Sequence, residues 1–231
     1  MNLILLLPHI YKMIEIKKII DTDVLKLYST AIHTKWNEKD YKKYLDLLPV
    51  FIQDKIIKYK GWKERQLKIS GKLLLQQLLI DLNCAHLSML SNLSFTMYNR
   101  PYFASMVDFS ISHSANKVLC VASTKFNVGL DIEFIKEIKP TDYYPYFNVR
   151  DIELLENAKY PVPLFYQLWT RKEALAKVRG IGVMEPLETI SMIDKYLIVD
   201  NKKYEIRDLQ VGHCYKGALV LNEEPGCSQS I

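Results

Sequence analysis

Two long apolar helical stretches, each followed by a run of short alternating segments, set the limits on what this chain can fold into. Ile69–Leu82 places Leu73, Leu74, Leu78 and Leu82 at helical spacing, and Pro163–Val178 forms a second long helix in the other half. After the first come Ser94–Tyr98, Phe109–His113, Val118–Ser123 and Val128–Phe134, which read as strands. After the second come Ser191–Ile193, Tyr196–Val199, Lys203–Arg207 and Lys216–Leu221. This order predicts an α+β fold made of two pseudo-duplicated α+β subdomains. Their expected limits are residues 13–124 and 125–222, with 1–12 and 223–231 as flexible termini. Before the first long helix, Ile14–Ile20 reads as a strand and Asp23–Ala31 as a helix capped by Asp21, Thr22 or Asp23. Asn37–Leu48, Val50–Lys60 and Val149–Asn157 read as helices, Pro140–Pro145 as irregular, and Ser114-Ala115-Asn116-Lys117 as a hairpin turn.

Composition narrows the function classes. With 231 residues, 49% of them hydrophobic, the chain can bury a sizeable core. Its net charge of +5 suits an anionic ligand or an acidic protein partner. Lys and Arg are spread along the chain and no recognised module appears, which argues against nucleic acid. The apolar run Leu3–Leu7 has no basic flank and is far too short to span a membrane, so no membrane partner is expected and Met13 reads as the natural start. Cys84, Cys120, Cys214 and Cys227 match neither a zinc nor a C-x-x-C pattern, so they read as free thiols in a reducing, cytoplasmic compartment.

Two short charged motifs carry the chemistry. In Val128-Gly129-Leu130-Asp131-Ile132-Glu133, strand alternation puts Asp131 and Glu133 on one face and Val128, Leu130 and Ile132 on the other. Two neighbouring carboxylates repel unless a cation sits between them; otherwise they are surface acids on a solvated strand. In Trp169-Thr170-Arg171-Lys172-Glu173-Ala174-Leu175-Ala176-Lys177, the residues Trp169, Glu173 and Lys177 share one helical stripe. Glu173 is a candidate third metal ligand or general base, and Lys177 a candidate phosphate contact. The plain alternative is a surface ion pair between them. Three carboxylates suffice for one hard divalent cation, and lysines beside them suit a phosphate ester. His113, set among Ser110, Ser112 and Ser114, could bind phosphate or serve acid–base work, or be structural. No nucleophile elbow surrounds these serines.

In chain order, Asn99-Arg100-Pro101, Phe109-Ser110-Ile111-Ser112-His113-Ser114, the Asp131 motif and the Glu173 motif resemble the Sfp-type 4'-phosphopantetheinyl transferase family. The similarity runs from about Met13 to Leu221. It departs from the family at Asn99, Arg100 and Ser110, where glycine, lysine and asparagine are usual, and at Leu67 and Lys68.

The resemblance implies a monomeric enzyme with its active site in the cleft between the subdomains. It would move 4'-phosphopantetheine from coenzyme A to a serine of an acyl or peptidyl carrier protein, releasing 3',5'-ADP, with Mg2+ as cofactor. Asp131, Glu133 and Glu173 would hold the metal, and Glu173, or a water it orients, would take the serine proton. Lys177 would meet the pyrophosphate. Ser112, His113, Arg100, Pro101 and Lys55 would contact coenzyme A, and Asp151 would stand near the metal. The aromatic stretch with Tyr143, Tyr144, Tyr146 and Phe147 is a candidate carrier surface. The rival reading is a non-catalytic module that binds coenzyme A or a carrier, and a further rival is another Mg2+-dependent enzyme acting on a small phosphate ester.

Overall fold

The computed structural model describes residues 14–84, 90–105, 107–180 and 187–223. The expectations for residues 1–12, Met13, Cys227 and the tail after residue 223 lie outside them. The chain gathers into two units, one holding residues up to Ser94 together with Pro101–Lys125, the other Phe95–Arg100 together with Phe126 onward.

The first unit begins with the hairpin β1 (Lys17–Asp21) and β2 (Leu25–Ala31). Helices α1 (Glu38–Leu45), α2 (Val50–Ile57) and α3 (Trp62–Asp81) follow. Then come the short pair β3 (Leu93–Phe95) and β4 (Pro101–Phe103) and the hairpin β5 (Asp108–Ser114) and β6 (Lys117–Ser123). The main sheet is antiparallel in the order β1-β2-β6-β5. The 20-residue α3 lies over it. Leu73, Leu74, Leu75, Leu78 and Leu79 are fully buried with Tyr28, Val118, Cys120 and Ala122. That burial, rather than helix propensity, fixes α3 in place.

The second unit repeats the plan: a four-stranded antiparallel sheet with one long helix laid on it. β7 (Asn127–Phe134) leads through a 3-10 turn at Pro140–Tyr146 to α4 (Val149–Glu156) and α5 (Pro161–Arg179). β8 (Tyr196–Val199), β9 (Lys202–Asp208) and β10 (Tyr215–Asn222) complete the sheet in the order β7-β10-β9-β8. Pro161 starts α5 where a missing N–H costs nothing, and Gly180 ends it at φ +73°. The fold is α+β, as expected. Among the described residues no helix is long and apolar enough to cross a membrane.

Several local expectations are overturned. The strand expected over Ser94–Tyr98 ends at Phe95, because the chain turns back there, with the Thr96 N–H on the Arg100 carbonyl and the Asn99 N–H on that of Thr96. Residues 25–31 form strand β2 rather than a helix. β2 is the inner strand between β1 and β6, and Leu25, Leu27, Tyr28 and Thr30 are all buried, so both of its faces are covered. A strand covered on both sides loses the alternation that marks one in sequence. Residues 191–193 form no strand, because side chains satisfy their backbone. The Asp151 carboxylate accepts the Met192 N–H at 3.0 Å, and Arg171 Nη1 donates to the carbonyls of Met192 (2.7 Å) and Ile193 (3.1 Å).

The β5–β6 turn holds Ala115 at φ +52°, where a Cβ is crowded. Ala115→Gly should raise stability by about 0.5–1 kcal/mol in urea unfolding. A loss of stability would contradict this backbone.

Candidate active site

The site is built where α5 crosses β7. Gly129, Asp131 and Glu133 alternate onto one face of β7, and Gly129 shows that this face meets α5. A Cβ on Gly129 would strike the Ala174 carbonyl oxygen and come within 2.6 Å of the Val178 nitrogen. Glycine at this position therefore lets the helix backbone lie against the strand. Two residues along the strand, Asp131 meets Lys177, in the helical turn that runs from Ala174 to Val178. Lys177 Nζ donates to Asp131 Oδ1 at 2.6 Å and to the Leu130 carbonyl at 3.1 Å. Glu133 lies two residues further along the strand. Its charge reaches Tyr166, whose phenol is pushed up mainly by burial and also by Glu133.

The electrostatics differ from the simple i,i+4 pair. Lys177 pairs with Asp131 across the two elements. The Asp131 side chain is only 6% exposed, so this ion pair is far better shielded than a surface one. Glu173, half-buried one turn before Lys177, is held above the ordinary carboxylate range. Burial is the main cause and the Asp131 charge adds to it, with Lys177 opposing. Asp131 and Glu173 therefore feel each other.

The donor types, all carboxylates, are those an oxygen-preferring dication takes. Asp131, Glu133 and Glu173 offer carboxylate oxygens from one strand face and the helix on it, and a dication would relieve the repulsion that raises Glu173. Among the described residues no three acidic, histidine or cysteine groups stand together so as to hold a metal ion. Mg2+ does not require a closed protein cage, since it keeps waters and takes oxygens from a bound phosphate.

The other candidates are placed as follows. Arg100 ends a turn that groups with the second unit, and its guanidinium meets the carbonyls of Val178 and Val128. Pro101, half-buried, begins β4. Ser112 and His113 are neighbours on β5 and so point to opposite faces. His113 shares its face with Phe109 and Ile111, the face on which Gly71 of α3 packs against Ile111 and Val118. Ser112 is buried on the other face. Lys55, exposed near the end of α2, belongs with Lys68 and Lys72 of α3. Lys72 is pushed down to about 8 by burial first and then by the charges of Lys68 and Lys55. Sequence reasoning missed Lys72; the signal was a lysine four residues after Lys68, inside the apolar run Ile69–Leu82.

Asp151 is not part of this site's surface. It is fully buried and accepts from Ser191 Oγ at 2.8 Å and from the Met192 N–H, so it holds the 191–192 segment to α4. Beside it, buried Lys172 is pushed down to about 8 by burial, against the pull of Asp151 and Glu188. The Lys172 ammonium lies 5.3 Å over the Phe147 ring. Phe147 itself is buried against Phe165 and Trp169, and Tyr143 packs on the same two rings. Of the aromatic residues expected to receive a carrier, Phe147 is core, whereas Tyr146 is 55% exposed.

A family model for the 4'-phosphopantetheinyl transferase superfamily matches residues 127–215, the stretch that holds β7, α4, α5, β8 and β9. Over these residues the chain is similar to the 4'-phosphopantetheinyl transferase superfamily. The chain is 31% identical over 148 residues to the 4'-phosphopantetheinyl transferase gsp of Aneurinibacillus migulanus, covering 62% of this chain and 60% of that protein. It is 33% identical over 100 residues to a 4'-phosphopantetheinyl transferase of Bacillus subtilis, covering 41% of this chain and 44% of that protein. Over 127 residues it is 28% identical to the L-aminoadipate-semialdehyde dehydrogenase-phosphopantetheinyl transferase of Schizosaccharomyces pombe, covering 45% of this chain and 48% of that protein. The matched stretch thus spans roughly half the length of these phosphopantetheinyl transferases, and the Gly129, Asp131, Glu173 and Lys177 contacts fall inside the superfamily segment.

Two variants test this geometry. Gly129→Val should separate α5 from β7 and lower the melting temperature by several degrees, because over-packing costs about 1–3 kcal/mol or more; an unchanged melting temperature would contradict the close approach. Asp151→Ala should cost about 1–3 kcal/mol by stranding the Met192 N–H. An unchanged melting temperature would contradict this brace.

Proposed function

We propose that this chain transfers the 4'-phosphopantetheine group from coenzyme A to a serine hydroxyl of an acyl or peptidyl carrier protein, releasing 3',5'-ADP. The observation that carries the reading is the apposition of Asp131, Glu173 and Lys177 across α5 and β7, inside the segment that matches the superfamily. The relatives named as phosphopantetheinyl transferases support it and disfavour a module that only binds.

In the reaction the serine oxygen forms a bond to the phosphorus that bears the pantetheine arm. The bond from that phosphorus to the 3',5'-ADP oxygen breaks, and the serine proton leaves to a base. Such a transfer needs positioning and charge neutralisation more than covalent help. Glu173, raised above the ordinary carboxylate range mainly by burial, is suited to accept that proton, directly or through a water. Lys177, fixed by Asp131, presents a cation to the pyrophosphate. Asp131, Glu133 and Glu173 would hold Mg2+. When bound, that ion would stabilise charge on the oxygens of the leaving 5'-phosphate of 3',5'-ADP. His113, Ser112, Pro101 and the cluster of Lys55, Lys68 and Lys72 are the proposed coenzyme A contacts, and Tyr146 the remaining aromatic carrier contact. A holo-[acyl-carrier-protein] synthase acting as a cytoplasmic monomer completes the reading. The free thiols of Cys84, Cys120 and Cys214 support the reducing compartment.

Glu173 supplies a test with its sign fixed in advance. Its carboxyl protonates more easily folded than unfolded. Its contribution to stability is therefore full below the ordinary value of 4.5 and is lost as pH rises through the folded value. Glu173→Gln should raise the melting temperature at pH 7, an advantage that vanishes in acid, while carrier-dependent release of 3',5'-ADP falls by about 100-fold or more. Near-normal release would remove Glu173 from the chemistry, and carrier-independent turnover by the wild type would contradict the reaction. Lys72 gives a second test. As pH rises through about 8 it loses its charge, so the KM for coenzyme A should climb, and the climb should flatten in Lys72→Met. A KM indifferent to pH in the wild type would take Lys72 out of the coenzyme A site.

A further inference from the structure

Arg100 reads by resemblance as a nucleotide contact, but its guanidinium meets protein backbone. Nη1 donates to the Val178 carbonyl at 3.1 Å and Nη2 to the Val128 carbonyl at 3.4 Å. Val178 belongs to the last turn of α5, and Val128 is the second residue of β7. We propose that Arg100 is a positioning residue that clamps the end of α5 to the start of β7 and so keeps Glu173 and Lys177 in register with Asp131. The inference rests on the reaction proposed above for its kinetic arm only.

Three observations support the clamp. The first is the accounting of helix-end carbonyls. The Gly180 N–H serves the carbonyls of Ala176 and Lys177, and Arg100 serves that of Val178. A cation at that end also complements the helix dipole. The second is fit. Gly180 has no Cβ, and the Arg100 Cδ and Nη1 would lie 3.3 Å from one. The third is the presenting turn. The Thr96 N–H bonds the Arg100 carbonyl at 2.9 Å, Thr96 Oγ1 accepts the Arg100 N–H at 3.1 Å, and Asn99 takes φ +61°. Asparagine tolerates that conformation better than most residues. The turn Phe95–Arg100 accordingly groups with the second unit although its sequence neighbours on both sides do not.

The clamp acts close to the chemistry. Val178 adjoins Lys177, and Val128 lies three residues from Asp131. A helix advances only about 1.5 Å per residue. A slip of that size would break the 2.6 Å contact between Lys177 and Asp131. Lysine cannot replace this function, because its ammonium is a point charge on a flexible stem and lacks the planar fork that spans two carbonyls.

The test compares Arg100→Lys and Arg100→Gln with the wild type. Hydrogen exchange is measured on the ligand-free protein, and steady-state kinetics with coenzyme A and an apo carrier. In both variants the amides of the last α5 turn and of the first half of β7 should exchange about 10-fold faster or more, while α3 is unchanged. The kcat should fall about 10-fold in both variants with the KM for coenzyme A within about twofold, since an interaction that only positions the reacting groups is lost. Wild-type exchange in Arg100→Lys would overturn the clamp. So would a raised KM in Arg100→Gln that Arg100→Lys restores at unchanged kcat, which is the behaviour of a phosphate ligand. If the wild type itself transfers nothing, the reaction fails while the exchange experiment still decides the clamp.

Discussion

Everything that makes this site chemical depends on how closely α5 approaches β7 at Gly129. The helix backbone occupies the space where any other residue would place a Cβ. That contact sets the helix height over the sheet, and the alternation of β7 then decides which side chains face it. Asp131 meets Lys177, and Glu173 stands within the field of Asp131. Elsewhere α5 is tied down by Arg171 and Gln167 on Asp208 of β9 and by apolar packing. The helix therefore acts as a rigid shelf, and its polar stripe is positioned by many contacts that have no part in chemistry.

Burial also stores electrostatic cost at three ionisable side chains. Glu173 is easier to protonate than a solvated carboxyl, while Lys72 and Lys172 are easier to deprotonate than solvated lysines. In all three, burial is the leading cause. Lys172 has a compensating setting, with Asp151 nearby and the Phe147 ring beneath it, and belongs to the scaffold. Lys72 sits instead among other cations, the kind of repulsion that a bound anion relieves.

Much of this was legible in the sequence for identifiable reasons. β7 was found because its apolar and charged positions alternate with a period of two, and α5 because it is a long run without glycine that opens on proline. The hairpin of β5 and β6 was found from its turn. β2 was misread because it is covered on both faces, which erases the alternation on which a strand assignment relies. Residues 191–193 were misread because a buried carboxylate and an arginine replace a strand neighbour, and no local pattern encodes partners 21 and 41 residues away. In the site, the acids and Lys177 were visible by type. That Lys177 answers Asp131 rather than Glu173 depends on the contact at Gly129, which is tertiary. Asp151 looked like a metal-site acid in one dimension and is a buried brace in three.

The most direct measurement is the intact mass of an apo carrier protein after incubation with this chain, coenzyme A and Mg2+, beside an EDTA control. The account predicts a gain of one phosphopantetheine that disappears with EDTA. An unchanged mass across carriers from fatty acid, polyketide and nonribosomal peptide pathways would contradict it, as would a gain indifferent to EDTA for the role given to the three carboxylates.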